Sequence, residues 1–206
     1  MTQLKTKQRR GQIRDSIRIA ALEEFASNGL NGTSTQMIAS RAGISKAQLH
    51  YYIEGKSELY EDILVSIIDK WDQNFFVSAS DEDPKVAIAS YIELKIKDAL
   101  KNPLECRLFS QEVSSGAPVL RKYWQRGKTA FVKACGIIEE WINTGEIDPV
   151  DPMLFQMEIW GVSQHYADYE AQVRFYMGLE QDEPLDEARI IKHAQNLFLR
   201  SLGLDT

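Results

Sequence analysis

Cysteine, histidine and long apolar runs are all scarce in this chain, and each scarcity removes a class of protein. Two cysteines, Cys106 and Cys135, are too few and too isolated for a disulfide framework or a zinc site, and they suit a reducing cytoplasm. None of the three histidines, His50, His165 and His193, stands at a metal-ligand spacing from another or from a cysteine. No stretch reaches the length of a membrane span, and the opening MTQLKTKQRRGQIRD has no apolar h-region, so neither a membrane nor export is expected. A Gly-rich phosphate loop and a nucleophile elbow are also missing. His165 and Asp168, three residues apart, are a common helical pair and weak support for acid–base chemistry. No metal, no cofactor and no catalytic residue are therefore expected. Strand alternation and fixed-period repeats are absent too, which leaves an all-α chain.

What is present is a core and a charge gradient. With 44% hydrophobic residues in 206, the chain has enough apolar side chain to bury. The net charge of −6 is unevenly spread: residues 1–56 carry +5 and the remainder −11. A basic tail merely solvated at one end is one reading of that asymmetry. A nucleic-acid-binding end attached to an acidic body is the other.

The stretch TSTQMIASRAGISKAQLHYYIEGK, Thr33 to Lys56, favours the second reading. Thr33 with Gln36, and Ser45 with Gln48, repeat the spacing of a capping box, so two short helices start there. Met37, Ile38 and Ala39 face inward from the first, and Ile44 and Leu49 from the second, with Ala42-Gly43 as the turn. Helices this short are not stable alone. Joined by a Gly-containing turn, they form a helix-turn-helix. Ser45, Lys46, Ala47, Gln48 and His50 then project away from Leu49, towards the edges of bases in a major groove. Gln48 pairs with adenine in a bidentate way, Ala47 meets a thymine methyl, and Lys46 reaches guanine or a phosphate. Thr33, Ser34, Tyr51 and Lys56 are placed for phosphates. Tyr51 divides evenly between that role and packing, while Tyr52 belongs to the core.

Periodicity orders the rest. Residues 1 to about 11 read as a flexible basic arm, followed by a helix holding Ile13, Ile17, Ala20, Ala21 and Phe25, with Arg14, Arg18, Glu23 and Glu24 outside and a stop at Asn28-Gly29. A long helix begins at Lys56 or Ser57 and runs to about residue 79, far enough to connect two domains. Further helices are expected over 85–101, 104–114, 119–143, 153–175 and 186–202, about nine in all. The division is a DNA-binding domain at 1–56 and a ligand-binding and dimerisation domain at 57–206.

In the second domain Trp160, Ser163, Gln164, Ala167 and Asp168 share one helical face. An indole beside a neutral amide suits a flat, uncharged ligand with alternating donors and acceptors. Trp160 as plain core is the competing reading. His165 is read as a dimer or core hydrogen-bonder. Arg107 and Glu112 either form a buried pair or line a pocket.

Ala20-Ala21, Phe25, Gly29, Thr33, Ile38-Ala39, Ala42-Gly43-Ile44-Ser45, Leu49, Tyr51-Tyr52 and Lys56 with Leu59 resemble the N-terminal domain of the TetR family of repressors over about residues 13–60. Ile53 departs from the Phe usual there but keeps the apolar contact. The resemblance implies an Ω-shaped homodimer on double-stranded palindromic operator DNA, joined through the last two helices, and a small-molecule effector. WGVSQHYADY, with Tyr91-Ile92-Glu93-Leu94-Lys95, Glu105-Cys106-Arg107-Leu108-Phe109 and Gly116-Ala117-Pro118, is similar to the pyrimidine-utilisation repressors within that family. That likeness implies a pyrimidine base such as uracil or thymine as effector. The candidate ligand contacts are Lys95, Arg107, Phe109, Trp160 and Gln164. A regulator for a hydrophobic or acyl ligand is the alternative, and a small all-α enzyme a remote one.

Overall fold

In a computed structural model of the protein, residues 2–72 and 83–204 are described, with side chains from residue 8 onward. Every regular element among them is helical. α1 (Thr2–Gly32) begins well before residue 12, so the expected arm is helix. Its Gln, Lys and Arg residues are good helix formers, and the single Gly11 costs only about 1 kcal/mol against Ala. The stop falls where the sequence put it. Gly29 has φ 66 and ψ 176, which bends the chain sharply and favours a residue without Cβ.

α2 (Thr35–Arg41) and α3 (Lys46–Leu49) follow, then α4 (Lys56–Asp72), α5 (Pro84–Lys101) and α6 (Pro103–Ser114). The expected continuation of α4 through residues 73–79 lies outside the described residues. α5 opens as anticipated: Asp83 accepts from the Val86 N–H at 3.2 Å, and Pro84 fills the first turn. A 3-10 turn (Leu120–Tyr123) precedes α7 (Trp124–Thr144), which ends at Gly145 in the left-handed conformation. The helix expected over 153–175 is two helices, α8 (Pro152–Asp168) and α9 (Glu170–Met177), divided at Tyr169. α10 (Glu187–Ser201) completes ten α-helices among the described residues. Tyr169 leaves helical geometry at φ −112 and ψ 27. The apolar pattern hides this break because it continues on both sides.

The chain folds as two compact units. The first comprises residues 1–68 and 107–122, the second 69–106 and 123–206. α4 and α6 therefore each contribute to both. The first unit buries Ile17, Ala21, Phe25, Ile38, Ala39, Leu49, Ile63 and Leu64. Phe25 meets the edge of the Tyr60 ring at a centroid distance of 5.0 Å. α6 belongs here through two side chains. Gln111 donates to the Ala26 carbonyl at 2.9 Å, and Glu112 is buried. Its Oε1 accepts from the Val119 and Leu120 N–H groups at 2.6 and 3.0 Å, and its Oε2 from the Tyr60 hydroxyl at 3.1 Å. Burial beside that carboxylate holds the Tyr60 phenol well above its ordinary range.

The second unit packs α5, α7, α8 and α10 around Ile88, Ile92, Ile138, Trp141, Phe155, Ile159, Ile190 and Phe198. Among the described residues no helix is long and apolar enough to cross a membrane.

Candidate nucleic-acid interface and effector site

Two serine caps set the helix-turn-helix. Ser34 Oγ accepts from the Met37 N–H at 3.2 Å and Ser45 Oγ from the Gln48 N–H at 3.1 Å. The cap of α2 is thus Ser34, one residue after the Thr33 expected from spacing. Thr33 is 2% exposed, and its hydroxyl donates to the main-chain oxygens of Glu24 and Gly29 at 3.0 and 2.8 Å. Its side chain closes the bend after α1. Gly43, with φ 69, turns the chain from α2 into α3, a conformation that L side chains adopt at a cost.

From this frame α3 buries Leu49 and exposes Ser45, Lys46, Ala47, Gln48 and His50. All five residues assigned to base edges are therefore exposed. Tyr51 is 67% exposed. Its hydroxyl accepts a hydrogen bond from Arg10, whose guanidinium also stands 5.5 Å from the ring centroid. Arg10 escapes a reading of the sequence that treats residues 1–11 as a loose arm. The only sign of it there is charge, because its position depends on α1 being continuous. Tyr52 is half-buried against the edge of Tyr51 at 5.3 Å.

Lys56 is engaged within the protein as well. Its ammonium donates to the carbonyl oxygens of Leu30 and Thr33, both at 2.8 Å. The ammonium thereby closes orphan carbonyls at the end of α1. Glu24, expected outside, is buried and accepts from Arg41 Nε at 2.5 Å. The pairing offsets the cost of taking that carboxylate out of water.

The second unit holds Lys95, Trp160 and Gln164, whereas Arg107 and Phe109 fall in the first. Trp160 and Gln164 are half-buried and Ser163 fully buried, so the face predicted on α8 turns inward. Trp160 Nε1 donates to the Tyr91 hydroxyl of α5 at 2.8 Å, and its ring lies 5.4 Å from that of Phe131. Burial pushes the Tyr91 phenol up to about 12, against the Trp160 hydrogen bond that lowers it. Ser163 spends its hydroxyl on the Ile159 carbonyl at 2.6 Å. Further along, Ala99 of α5 and Ala167 of α8 share a cluster with Cys106 and Trp71. The intervening turn carries Lys95 on α5 and Gln164 on α8.

Lys95 is 9% exposed, and its ammonium stands 4.5 Å from the centroid of the Trp71 ring. Burial lowers its pKa from the usual lysine value. Asp98, three residues on, organises the neighbourhood. Its carboxylate accepts from Lys70 Nζ at 2.8 Å, Trp71 Nε1 at 2.7 Å and Asn102 Nδ2 at 2.8 Å. Lys70 also reaches Glu105 at 2.5 Å. Trp71 and Asp98 are parts of this site that the sequence reading did not select. Trp71 stands on α4 and Asp98 on α5, so what joins them is a contact between helices that no local pattern carries.

His165 is exposed and stacks on Tyr169 at 5.1 Å, which removes the core reading for it. Among the described residues no group of three or more His, Cys, Asp or Glu side chains stands close enough to hold a metal. An open cleft of about 440 Å³ lies among Leu100, Tyr166, Arg174 and Leu185. None of the predicted ligand residues lines it. Its cation Arg174 is already held by Glu170 at 2.8 Å.

Comparison with known proteins was made on this footing. Residues 17–63 match the family described as bacterial regulatory proteins, tetR family, and residues 64–205 match the YcdC-like protein, C-terminal region. The HTH-type transcriptional regulator RutR of Escherichia coli strain K12 is 32% identical over 184 residues, covering 89% of this chain and 87% of that protein. The ketosteroid transcriptional regulator KstR2 of Mycobacterium tuberculosis superposes with a TM-score of 0.74 at 17% identity, covering 92% of this chain and 94% of its own. AibR in complex with isovaleryl coenzyme A and operator DNA gives 0.66 at 18% identity, covering 90% and 97%. At those identities the two structures speak for the fold alone.

Proposed function

The chain belongs to the TetR family of bacterial regulatory proteins, and from that premise we propose that it is a homodimeric repressor released from a palindromic operator by a pyrimidine base such as uracil or thymine. Membership makes it a DNA-binding transcriptional regulator and not an enzyme. The carrying observation for the effector is the inward face of α8. Trp160 supplies a flat apolar surface and Gln164 an amide with both donor and acceptor, one turn apart and half-buried. A lactam edge, with N–H next to C=O, is what such an amide recognises. The likeness of WGVSQHYADY to the pyrimidine-utilisation repressors supports the same ligand.

DNA contact falls to Ser45, Lys46, Ala47, Gln48 and His50 at base edges, with Ser34, Tyr51 and Arg10 at phosphates. Dimerisation falls to α8 and α10, whose outer faces carry Met153, Leu154, Met157 and Leu197 exposed, and the protein works in the cytoplasm where its operator lies. Two recognition helices must meet successive major grooves about 34 Å apart, so a small change in their separation releases the operator. Linkage then requires DNA and effector to weaken each other by one common factor.

Fluorescence anisotropy of a labelled operator, selected in vitro with the full-length protein, tests this. Saturating uracil or thymine is expected to raise the operator Kd at least tenfold. An unchanged Kd with both bases, together with release by an acyl compound, replaces the pyrimidine reading with the acyl one.

A further inference from the structure

Lys95 is the buried cation that the fold leaves least provided for. It is 9% exposed, and among the described residues its ammonium has the Trp71 ring as its close partner, at 4.5 Å, with no hydrogen-bond acceptor. The acid three residues further along α5 does not serve it, because Asp98 already takes three donors from Lys70, Trp71 and Asn102. Glu105 is likewise engaged with Lys70. The Cys106 thiol nearby is pushed up to about 12, chiefly by burial, and stays neutral. An ammonium in such surroundings gains from any acceptor oxygen that arrives. Its lowered pKa has the same physical origin.

Trp71 is held from two directions by one helix. Its indole N–H is fixed to Asp98 and its ring face carries the Lys95 charge. It sits on the last described turn of α4, the helix whose residues 56–68 belong to the DNA-binding unit. A change in what Lys95 touches is therefore felt first by the end of α4.

We propose that Lys95 exchanges partners: its ammonium rests on the Trp71 face when the protein is competent for operator, and moves to a carbonyl or anionic oxygen on the ring of the effector when ligand binds. The class of ligand this selects is a flat heterocycle bearing at least one exocyclic acceptor oxygen. The proposal rests on effector-driven release as given above, and it adds the atom read and the contact that reports the reading. Loss of a desolvated cation–π contact is what α4 experiences.

The test uses the full-length wild type, Lys95→Met and Lys95→Arg, with uracil as probe. Three quantities are measured: operator Kd without ligand, uracil Kd by calorimetry, and the thermal midpoint. Lys95→Met is expected to weaken the operator three- to tenfold with no ligand present, to weaken uracil at least tenfold, and to melt within a few degrees of wild type. A buried charge replaced by an apolar side chain of like length is near neutral for stability. Lys95→Arg, which keeps the cation, is expected to recover most of the operator affinity. Wild-type operator affinity in ligand-free Lys95→Met overturns the exchange, and so does wild-type uracil affinity. Marked thermal destabilisation of Lys95→Met also overturns it, since the ammonium is then structural. If uracil does not bind the wild type, the pyrimidine reading falls by itself, and the ligand-free operator measurement on Lys95→Met still decides between exchange and none.

Discussion

Lys56 Nζ donates to the main-chain oxygen of Thr33 at 2.8 Å, and to that of Leu30 at the same distance. One ammonium thus ties the start of α4 to the segment that leads into α2. It holds the DNA-reading element from behind. Lys56→Ala is expected to cost about 1.5–3 kcal/mol, the scale of hydrogen bonds to a charged group, seen as an earlier urea midpoint. The salt dependence of operator binding by the folded fraction stays as in wild type. A slope shallower by about one unit, without loss of stability, shows instead that the charge reaches a phosphate.

Gln48 lies on the exposed side of α3, one residue before the buried Leu49. Gln48→Ala is expected to relax preference at one base pair of each half-site by about 1–3 kcal/mol of discrimination, while non-specific affinity holds. Competition binding against a panel of single-base operator variants measures it. A panel ranked as in wild type places Gln48 off the bases.

Gln164→Ala is expected to abolish release by uracil while leaving ligand-free operator affinity and melting near wild type. Anisotropy with and without uracil, alongside a thermal scan, separates the outcomes. Loss of operator binding and of stability together marks the amide as part of the packing between α5 and α8.

Asp98 gives a pH dependence. Burial pushes its carboxyl up, but hydrogen bonds from Lys70, Trp71 and Asn102 and the Lys70 charge outweigh that and hold it below the usual carboxylate value. A depressed carboxylate contributes its stability in full above the unfolded value of about 3.9, and loses it as pH falls through the folded value. Urea unfolding of wild type and Asp98→Asn is therefore expected to differ by a constant amount from pH 5 to 7. The difference shrinks below about pH 4. A difference unchanged down to pH 2 assigns the effect to something other than this ionisation.

Helix positions, caps and the open face of α3 were legible because each depends on residues within a few places of one another. Leu49 inward and Gln48 outward follow from helical period alone, and Ser45 as cap follows from the chain around it. The Thr33-Ser34 pair shows the limit of local signals. Both residues cap helices well, and what chose Ser34 was the pair of carbonyls, from Glu24 and Gly29, that drew Thr33 inward. The break at Tyr169 was illegible for a related reason. Apolar residues continue past it, so the pattern alone runs one helix through.

The sequence by itself determined an all-helical chain with a basic reading head, an acidic body and an inward face around Trp160 and Gln164. Hydrophobic period and charge are properties of the chain before it folds. Tertiary structure decided the partners of the long charged side chains. Lys56 turned to two carbonyls, Glu24 to Arg41, and Lys95 to the face of Trp71. A flexible cationic stem reaches many acceptors, and which one it meets depends on helices brought together from distant parts of the sequence.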